Sequence, residues 1–358
     1  MESKVWYTMM RKDRDLSFDV FRGLAIIAVV AIHTFDTVFP WKSTAMGGWS
    51  LFFVVTYRQL LNFAVPAFIF ISGYWASTKS IESLSDYRIF LIKRLPRVLI
   101  PYFFWSVILL GYAAIKENEF DVYQMIFKLL TGRATTIYFF IMVISQFYII
   151  TPLLQYINRK RYGLILVIIL NVISLLSAYL GRLYFNYWTP VSSAFYSWII
   201  FYEIGLLVGS SDSKKFAAKK TLFFILPAVL VCLLISAQEA SILLSRYNDS
   251  YFAIAPVKFS SFLYCVCIII AFLHIKKYLS SQPKLLAALG YYSFGIYLIH
   301  MPILYWIVNL VRKSSTIYSF QVLYQFIVVL ITIAICFILI DVARKLLPES
   351  FCHKVLGF

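Results

Sequence analysis

The sequence predicts an all-α, polytopic integral membrane bundle of about ten transmembrane helices with both termini cytoplasmic, and three observations lead there. The 358 residues are 61% hydrophobic and only 14% charged, with a mean hydropathy of +0.81, outside the range of soluble globular domains. The apolar stretches run about 17 to 25 residues, the length a helix needs to cross roughly 30 Å of hydrocarbon. The short alternating segments of a β-barrel do not occur. The basic residues then set the sidedness: with the amino terminus inside, 22 of the 33 Lys and Arg fall in cytoplasmic segments and 8 in outer loops, as the positive-inside rule requires. That asymmetry also accounts for the net charge of +17 through contact with anionic lipid, so no nucleic-acid partner is implied.

Each span is justified in turn by hydropathy and flanking charge. The first, 17–39, follows Lys4, Arg11, Lys12 and Arg14; it resembles a signal peptide at its start but is too long and has no small-residue cleavage site, so it is expected to remain as a span. The second, 51–76, carries Pro66 in its interior, which frees a backbone carbonyl and predicts a kink. The third, 98–115, follows the basic run Lys93, Arg94 and Arg97, and the fourth, 136–157, follows a polar loop over 116–135. Spans at 163–181, 191–209, 221–237, 253–273, 286–310 and 319–343 complete the count. No polar segment is long enough to form a soluble domain, so residues 1–358 are expected to act as one transmembrane domain. Cys232, Cys265, Cys267, Cys336 and Cys352 show no paired framework, which argues against disulfides and against a bound metal.

The ionisable residues at membrane depth are the candidates for function. Arg22 and His33 are eleven positions apart, which at 100° per residue returns to within about 20° of one direction and rises about 16 Å. They therefore share one face of the first span, Arg22 toward the cytoplasm and His33 toward the outer half. Asp19 and Asp36, three residues before and after, can pair with them. Taken singly, Arg22 reads equally as a snorkelling anchor and His33 as an interhelical hydrogen-bonding residue. Lys93, Arg94 and Arg97 read either as positive-inside bias or as a phosphate site, because guanidinium groups bind phosphate bidentately. His300, followed by Pro302, is the other histidine placed within a span. Glu203, Lys258 and Arg58 are weaker pointers of the same kind.

Together these residues resemble the acyltransferase 3 family of bacterial membrane proteins. Arg22 and His33, within FRGLAIIAVVAIH, match the family's arginine, ten residues, histidine spacing. VPAFIFISGY, with Val65, Pro66, Ser72, Gly73 and Tyr74, is similar to its second-span pattern. Arg94-Leu-Pro-Arg97 resembles its cytoplasmic arginine pair, and Ser293-Phe-Gly-Ile-Tyr297-Leu-Ile-His300 its late Ser-x-Gly-x-Tyr-x-x-His pattern. One departure stands out: Thr136-Ile-Tyr-Phe139 replaces the His-Leu-Trp-Phe that members often carry, although the expected Tyr148 and Pro152 follow.

The resemblance implies a compact membrane O-acyltransferase of the bacterial inner membrane. It would move an acyl group, most simply acetyl from acetyl-CoA, to a hydroxyl of a cell-surface or lipid-linked saccharide, with no metal. It further implies catalytic roles for His33, Arg22 and Asp36, donor phosphates on Arg94, Arg97, Lys93 and Arg22, and substrate contacts from Ser72, Tyr74, Tyr297 and His300. His33 would act as general base or as a transient acyl-imidazole, with Asp36 fixing the ring as a triad carboxylate does. The alternative from another class is a transporter or flippase of a glycan or lipid-linked intermediate, which also keeps charge within its spans.

Overall fold

The computed structural model describes residues 15–38, 48–160, 162–185, 193–210, 219–247, 250–279, 284–311 and 321–358. These residues are helical with short connections and no strand among them. Nine of the described segments are long and apolar enough to cross a membrane.

In chain order the helices are α1 (Leu16–Val38), α2 (Gly48–Leu60), α3 (Ala64–Ala76), α4 (Leu84–Glu117), α5 (Val122–Leu130), α6 (Phe139–Asn158), α7 (Gly163–Phe185) and α8 (Ile199–Ser210). They continue with α9 (Lys219–Tyr247), α10 (Ser250–Ile254), α11 (Phe259–Leu279), α12 (Lys284–Tyr291), α13 (Ser293–Val311), α14 (Gln321–Leu346) and α15 (Glu349–Phe351). The chain divides into two compact units, unit 1 with Met1–Phe68 and Lys214–Ile340, and unit 2 with Ile69–Ser213 and Asp341–Phe358.

Local chemistry explains where the helices break and begin. Between α2 and α3 the chain tightens to a 3₁₀ turn over Leu61–Phe63. Pro66 lacks an N–H and its ring would collide with the carbonyl four residues back, at Asn62, so the α-helical ladder cannot run through. The third span begins earlier than hydropathy indicates. Ser83 caps α4 at the N3 amide of Asp86 while Asp86 reaches back to Ser83, a capping box, and the 34 residues that follow are one helix. Lys93, Arg94 and Arg97 thus stand on a helix rather than in a loop. The loop expected over 116–135 contains α5, started by Asp121 accepting from the Gln124 amide, with Tyr123, Ile126, Phe127 and Leu130 exposed.

The sixth expected span, 191–209, is the largest difference. Its described helix, α8, has 12 residues, about 18 Å of rise, too short to cross the hydrocarbon alone. The chain before it turns through a 3₁₀ segment over Phe195–Ser197, which hydropathy, reporting apolar composition alone, cannot distinguish from helix. Seven of the α8 residues are buried, Phe201, Tyr202, Glu203 and Gly205 among them.

In unit 1, α12 lies along α1 more extensively than any other helix pair. The reason is in two glycines. A Cβ on Gly23 would collide with the Leu286 carbonyl, and one on Gly290 with the Asp19 carbonyl, so the two backbones touch where side chains would hold them apart. Phe21 stacks on Phe272 of α11 at 4.1 Å and 8°, closing the other side of α1. In unit 2, Phe147 of α6 stacks on Tyr202 of α8 at 4.4 Å and 6°, and the Tyr202 hydroxyl meets Thr151 at 2.7 Å. The carboxyl-terminal turn is tied to α4 by the Trp105 indole N–H donating to the Leu356 carbonyl at 3.2 Å. Exposed apolar side chains include Phe103, Val107 and Ile115 on α4 and Ile165, Ile169 and Ile173 on α7, the kind of surface that a bilayer covers.

Replacing Gly290 with Ala should therefore lower stability by about 1–3 kcal/mol, the usual cost of an inserted methylene, because the obstacle is backbone that cannot swing aside. Gly111, whose Cβ would meet open space, is the matched control. Thermal unfolding of the detergent-solubilised variants measures both, and equal midpoints for G290A and G111A would refute the backbone contact.

Candidate active site

α1 carries Arg22 near its start and His33 near its end, as the sequence spacing requires. Arg22 is partly exposed and its guanidinium lies 3.5 Å from the buried Asp19 carboxylate. That ion pair is the one expected from the i, i+3 spacing. The side chain of Asp36 lies outside the described residues.

Beside His33 stands His300, on α13. The two rings are 5.6 Å apart, centroid to centroid, and tilted by 38°. His300 is fully buried, and its Nδ1 lies 2.9 Å from the Tyr297 carbonyl and 3.1 Å from that of Ile296. A carbonyl only accepts, so Nδ1 carries the proton and donates. In the neutral ring Nε2 is then left as a lone-pair acceptor. That buried Nε2 has no hydrogen-bond partner among the described residues. Tyr297, one helical turn earlier, is buried with its ring 6.2 Å from that of His300. The Ser-x-Gly-x-Tyr-x-x-His segment therefore holds a histidine of defined tautomer against the histidine of the first span.

A third group joins them. Arg58 of α2 is buried, its guanidinium donates to Asn62 Oδ1 at 2.7 Å, and its charge acts on the His33 ring. Asn62 donates in turn to Gln59 Oε1 at 2.9 Å. The Ser236 and Ser261 hydroxyls reach that same oxygen at 2.8 and 3.0 Å, and Gln59 Nε2 donates to the Ala253 carbonyl at 3.1 Å. Amides and hydroxyls from α2, the 3₁₀ turn after it, α9 and α11 thus satisfy one another inside the unit. Sequence reading marked Arg58 and Lys258 only as charges at membrane depth and missed the neutral members. An arginine followed one turn later by an asparagine inside an apolar run was the available signal.

The basic residues of α4 belong to unit 2 and divide in character. Lys93 and Arg97 are exposed, one turn apart on one face. Arg94 is partly buried: its Nη2 donates to the Trp75 carbonyl at 2.5 Å, and the guanidinium stacks over Phe90 and Tyr148 at 5.1 and 5.5 Å. Ser72 and Tyr74, in the part of α3 assigned to unit 2, are half-buried, Tyr74 with its ring edge-on to Trp75 at 5.3 Å. No group of three or more metal-ligating side chains occurs among the described residues.

Such a site, an imidazole pair with a buried guanidinium at one edge, can accept a proton from a hydroxyl and stabilise the negative charge that follows. Comparison with known proteins bears on this chemistry. The chain is 24% identical over 297 residues to YfiQ of Bacillus subtilis, provisionally named a membrane-bound acyltransferase, covering 78% of each chain. It is 23% identical over 299 residues to a Staphylococcus aureus protein provisionally named a poly-beta-1,6-N-acetyl-D-glucosamine export protein, covering 80% of this chain and 81% of the relative. No solved structure matches it. The acyltransferase domain family matches residues 15–341, from the start of α1 almost to the end of α14, and the chain belongs to that family of membrane acyltransferases.

Proposed function

We propose that this protein is an O-acyltransferase that takes an acyl group, most simply acetyl, from cytoplasmic acyl-CoA and delivers it to a saccharide hydroxyl across the membrane. The observation that carries it is the pairing of His33 with His300. A packed histidine needs one hydrogen bond to be at rest, and His300 has that at Nδ1, yet it keeps a buried lone pair beside a second imidazole. In the proposed mechanism His33 removes the acceptor's proton or takes the acyl group itself. The His300 lone pair steadies the N–H that His33 then presents, a contact that tightens only with substrate bound. Arg58 faces the developing oxyanion.

Donor recognition falls to α4. Lys93 and Arg97 present free-standing charge to the coenzyme A phosphates, while Arg94 shapes the site through Trp75, Phe90 and Tyr148. The positive-inside reading puts these residues at the cytoplasmic face, where acyl-CoA is made, and His33 in the outer half, where a glycan stands.

A second reading has one observation in its favour, the export role named for the staphylococcal relative. A glycan exporter has no need of acyl-CoA. Membranes supplied with radiolabelled acetyl-CoA decide between them: label appearing in a saccharide supports acyl transfer, and the absence of both label and donor binding favours export.

Two variants probe the site. His33→Ala should lower acyl transfer by about 10² to 10⁴-fold, the range for loss of a general base, with insertion unimpaired because Ala costs less than His within a span. His300→Gln should lower kcat on the order of tenfold or more and move the acid limb of the kcat–pH profile, which a packing role would leave in place. An unchanged limb would remove His300 from the mechanism.

The donor site has its own signature. Arg97→Ala should raise the Kd for coenzyme A about tenfold, the loss of one charge-assisted hydrogen bond, and flatten its salt dependence. Arg94→Lys should fail to restore a wild-type site, since lysine keeps the charge but neither the fork nor the planar stack. Isothermal titration at two salt concentrations measures both, and affinities indifferent to salt and to Arg97 would put the donor elsewhere.

A further inference from the structure

Unit 2 holds a cavity that neither the imidazole pair nor the basic face of α4 uses. Its volume is about 240 Å³, and Ser77, Asn158, Arg159, Leu206 and Leu207 are in its lining. Three helices end there together, α3 at Ala76, α6 at Asn158 and α8 at Ser210, and the positive-inside reading puts these ends at the cytoplasmic face. Two sets of contacts build it. Cβ atoms on Gly205 and Gly209 would collide with the carbonyls of Phe70 and Tyr74, so α8 runs directly against the α3 backbone. Gln155 ties the turn after α3 to α6: its Nε2 donates to the Ala76 and Lys79 carbonyls at 3.3 and 3.1 Å, and its Oε1 accepts from the Ile81 amide at 3.0 Å.

The polar groups around the cavity are unequally satisfied. Ser77 and Ser210 donate to the Tyr74 and Leu207 carbonyls at 2.7 and 3.1 Å. Arg159 reaches over the rim to the Ser80 hydroxyl at 2.9 Å and the Glu82 carboxylate at 3.4 Å, all of them exposed. Asn158 Oδ1 is buried and no hydrogen bond reaches it among the described residues, although an amide oxygen has two lone pairs to satisfy. The helix ends act in the same sense, since their last carbonyls carry partial negative charge. The cavity therefore suits a group that brings an N–H donor inward, lays apolar faces against Leu206 and Leu207, and keeps its negative charge at the rim beside Arg159.

We propose that this cavity holds the adenine of the acyl-CoA donor, its 6-amino group donating to Asn158 Oδ1 and the neighbouring 3′-phosphate meeting Arg159. This rests on the acyl-CoA-dependent function proposed above. The volume falls below the range of about 300–1,000 Å³ for pockets that enclose a whole drug-sized ligand, so it suits one ring system and leaves the rest of the donor outside. Guanine carries a carbonyl where adenine carries its amine and would set oxygen against oxygen. The spacing fits the remainder of the molecule. Arg94 stacks over Tyr148 and donates to the Trp75 carbonyl. Gln155 lies seven residues beyond Tyr148 on α6, about 10 Å of rise, and Ser77 two residues beyond Trp75. A base in the cavity thus stands about a ribose and a phosphate away from the basic face of α4, where the diphosphate is proposed to bind. The Arg159–Glu82 contact is an exposed pair of small worth, which a phosphate can replace.

Isothermal titration of the full chain in lipid nanodiscs tests this with four probes: coenzyme A, 3′-dephospho-coenzyme A, and the 3′,5′-bisphosphates of adenosine and guanosine. The wild type should bind the adenosine bisphosphate tenfold or more tighter than the guanosine one, and Asn158→Leu should erase that preference. Arg159→Gln should keep the base preference but equalise coenzyme A and its dephospho form, which should differ about tenfold in the wild type, the worth of one charge-assisted hydrogen bond. Ser210→Phe, which fills the cavity from an exposed position, should weaken coenzyme A tenfold or more and leave 4′-phosphopantetheine unaffected. Coenzyme A bound without an adenine preference, or with one that N158L retains, overturns the subsite and leaves the donor intact; if N158L does not fold, an unchanged affinity in S210F does the same. No binding of any probe also overturns the subsite, and radiolabel transfer from acetyl-CoA then judges the donor by itself. Adenine-selective binding that depends on Asn158, with no transfer from any acyl-CoA, would instead overturn the acyl-transfer function and leave the subsite standing.

Discussion

The backbone contact between α1 and α12 sets where the two histidines of unit 1 stand. Gly23 lies against the Leu286 carbonyl and Gly290 against that of Asp19, so two helices touch at a distance that any side chain would prevent. α13 starts at Ser293, immediately after α12 ends at Tyr291. The rotation and depth of α13 are therefore inherited from the glycine contact, and so is the place of His300. On the other helix of the pair, His33 is ten positions beyond Gly23, nearly three turns along the same rigid rod. A 5.6 Å separation between two rings 267 positions apart in sequence is in this sense a consequence of two missing methyl groups. Small residues at a helix crossing do for membrane proteins what a well-filled core does for soluble ones, since lipid tails offer no hydrophobic drive to bring helices together.

A second constraint acts on charge. Within hydrocarbon every ionised group has to be matched or hydrogen-bonded, and unit 1 solves this differently at its two ends. Arg22 is met by Asp19 within its own helix, a local solution that leaves it fixed and partly exposed. Arg58 is met by a neutral chain of Asn62, Gln59, Ser236 and Ser261. The neutral amide of Asn62, itself held by Gln59, thus orients that guanidinium. One arginine is held by a carboxylate of its own helix, the other through an amide whose partners come from other helices.

How much of this could be read from the sequence depended on whether the information was local. Hydropathy and the basic loops marked the bundle, and the 3.6-residue period put Arg22 and His33 on one face, because each lies within a single helix. The start of α4 was missed although the Ser83 to Asp86 capping box is local, since the charges of its first turns depress hydropathy over the same window. The late start of α8 was not legible because the 3₁₀ turn over Phe195–Ser197 before it is as apolar as the helix that follows. The partnership of His33 with His300, and the recruitment of Gln59, Asn62, Ser236 and Ser261 around Arg58, depend on contacts between distant segments. A lone serine or glutamine in an apolar run carries no mark of the partner it will find.

The departure at the start of α6 fits this division of labour. Where members of the family often carry a histidine, this chain has Thr136, followed by Ile137 and Tyr138, both buried. Tyr138 packs edge-on to Tyr102 at 5.5 Å and 75°, and the Tyr102 hydroxyl donates to the Leu129 carbonyl at the end of α5. Tyr102 and Tyr138 thus form a buried aromatic corner within unit 2. Thr136 itself is exposed, so the position where members often carry a histidine lies at the edge of this corner and not within it. The two imidazoles that lie together are His33 and His300 of unit 1. The start of α6 is given to packing instead, Tyr138 closing the corner against Tyr102 while the imidazole pair is built from α1 and α13.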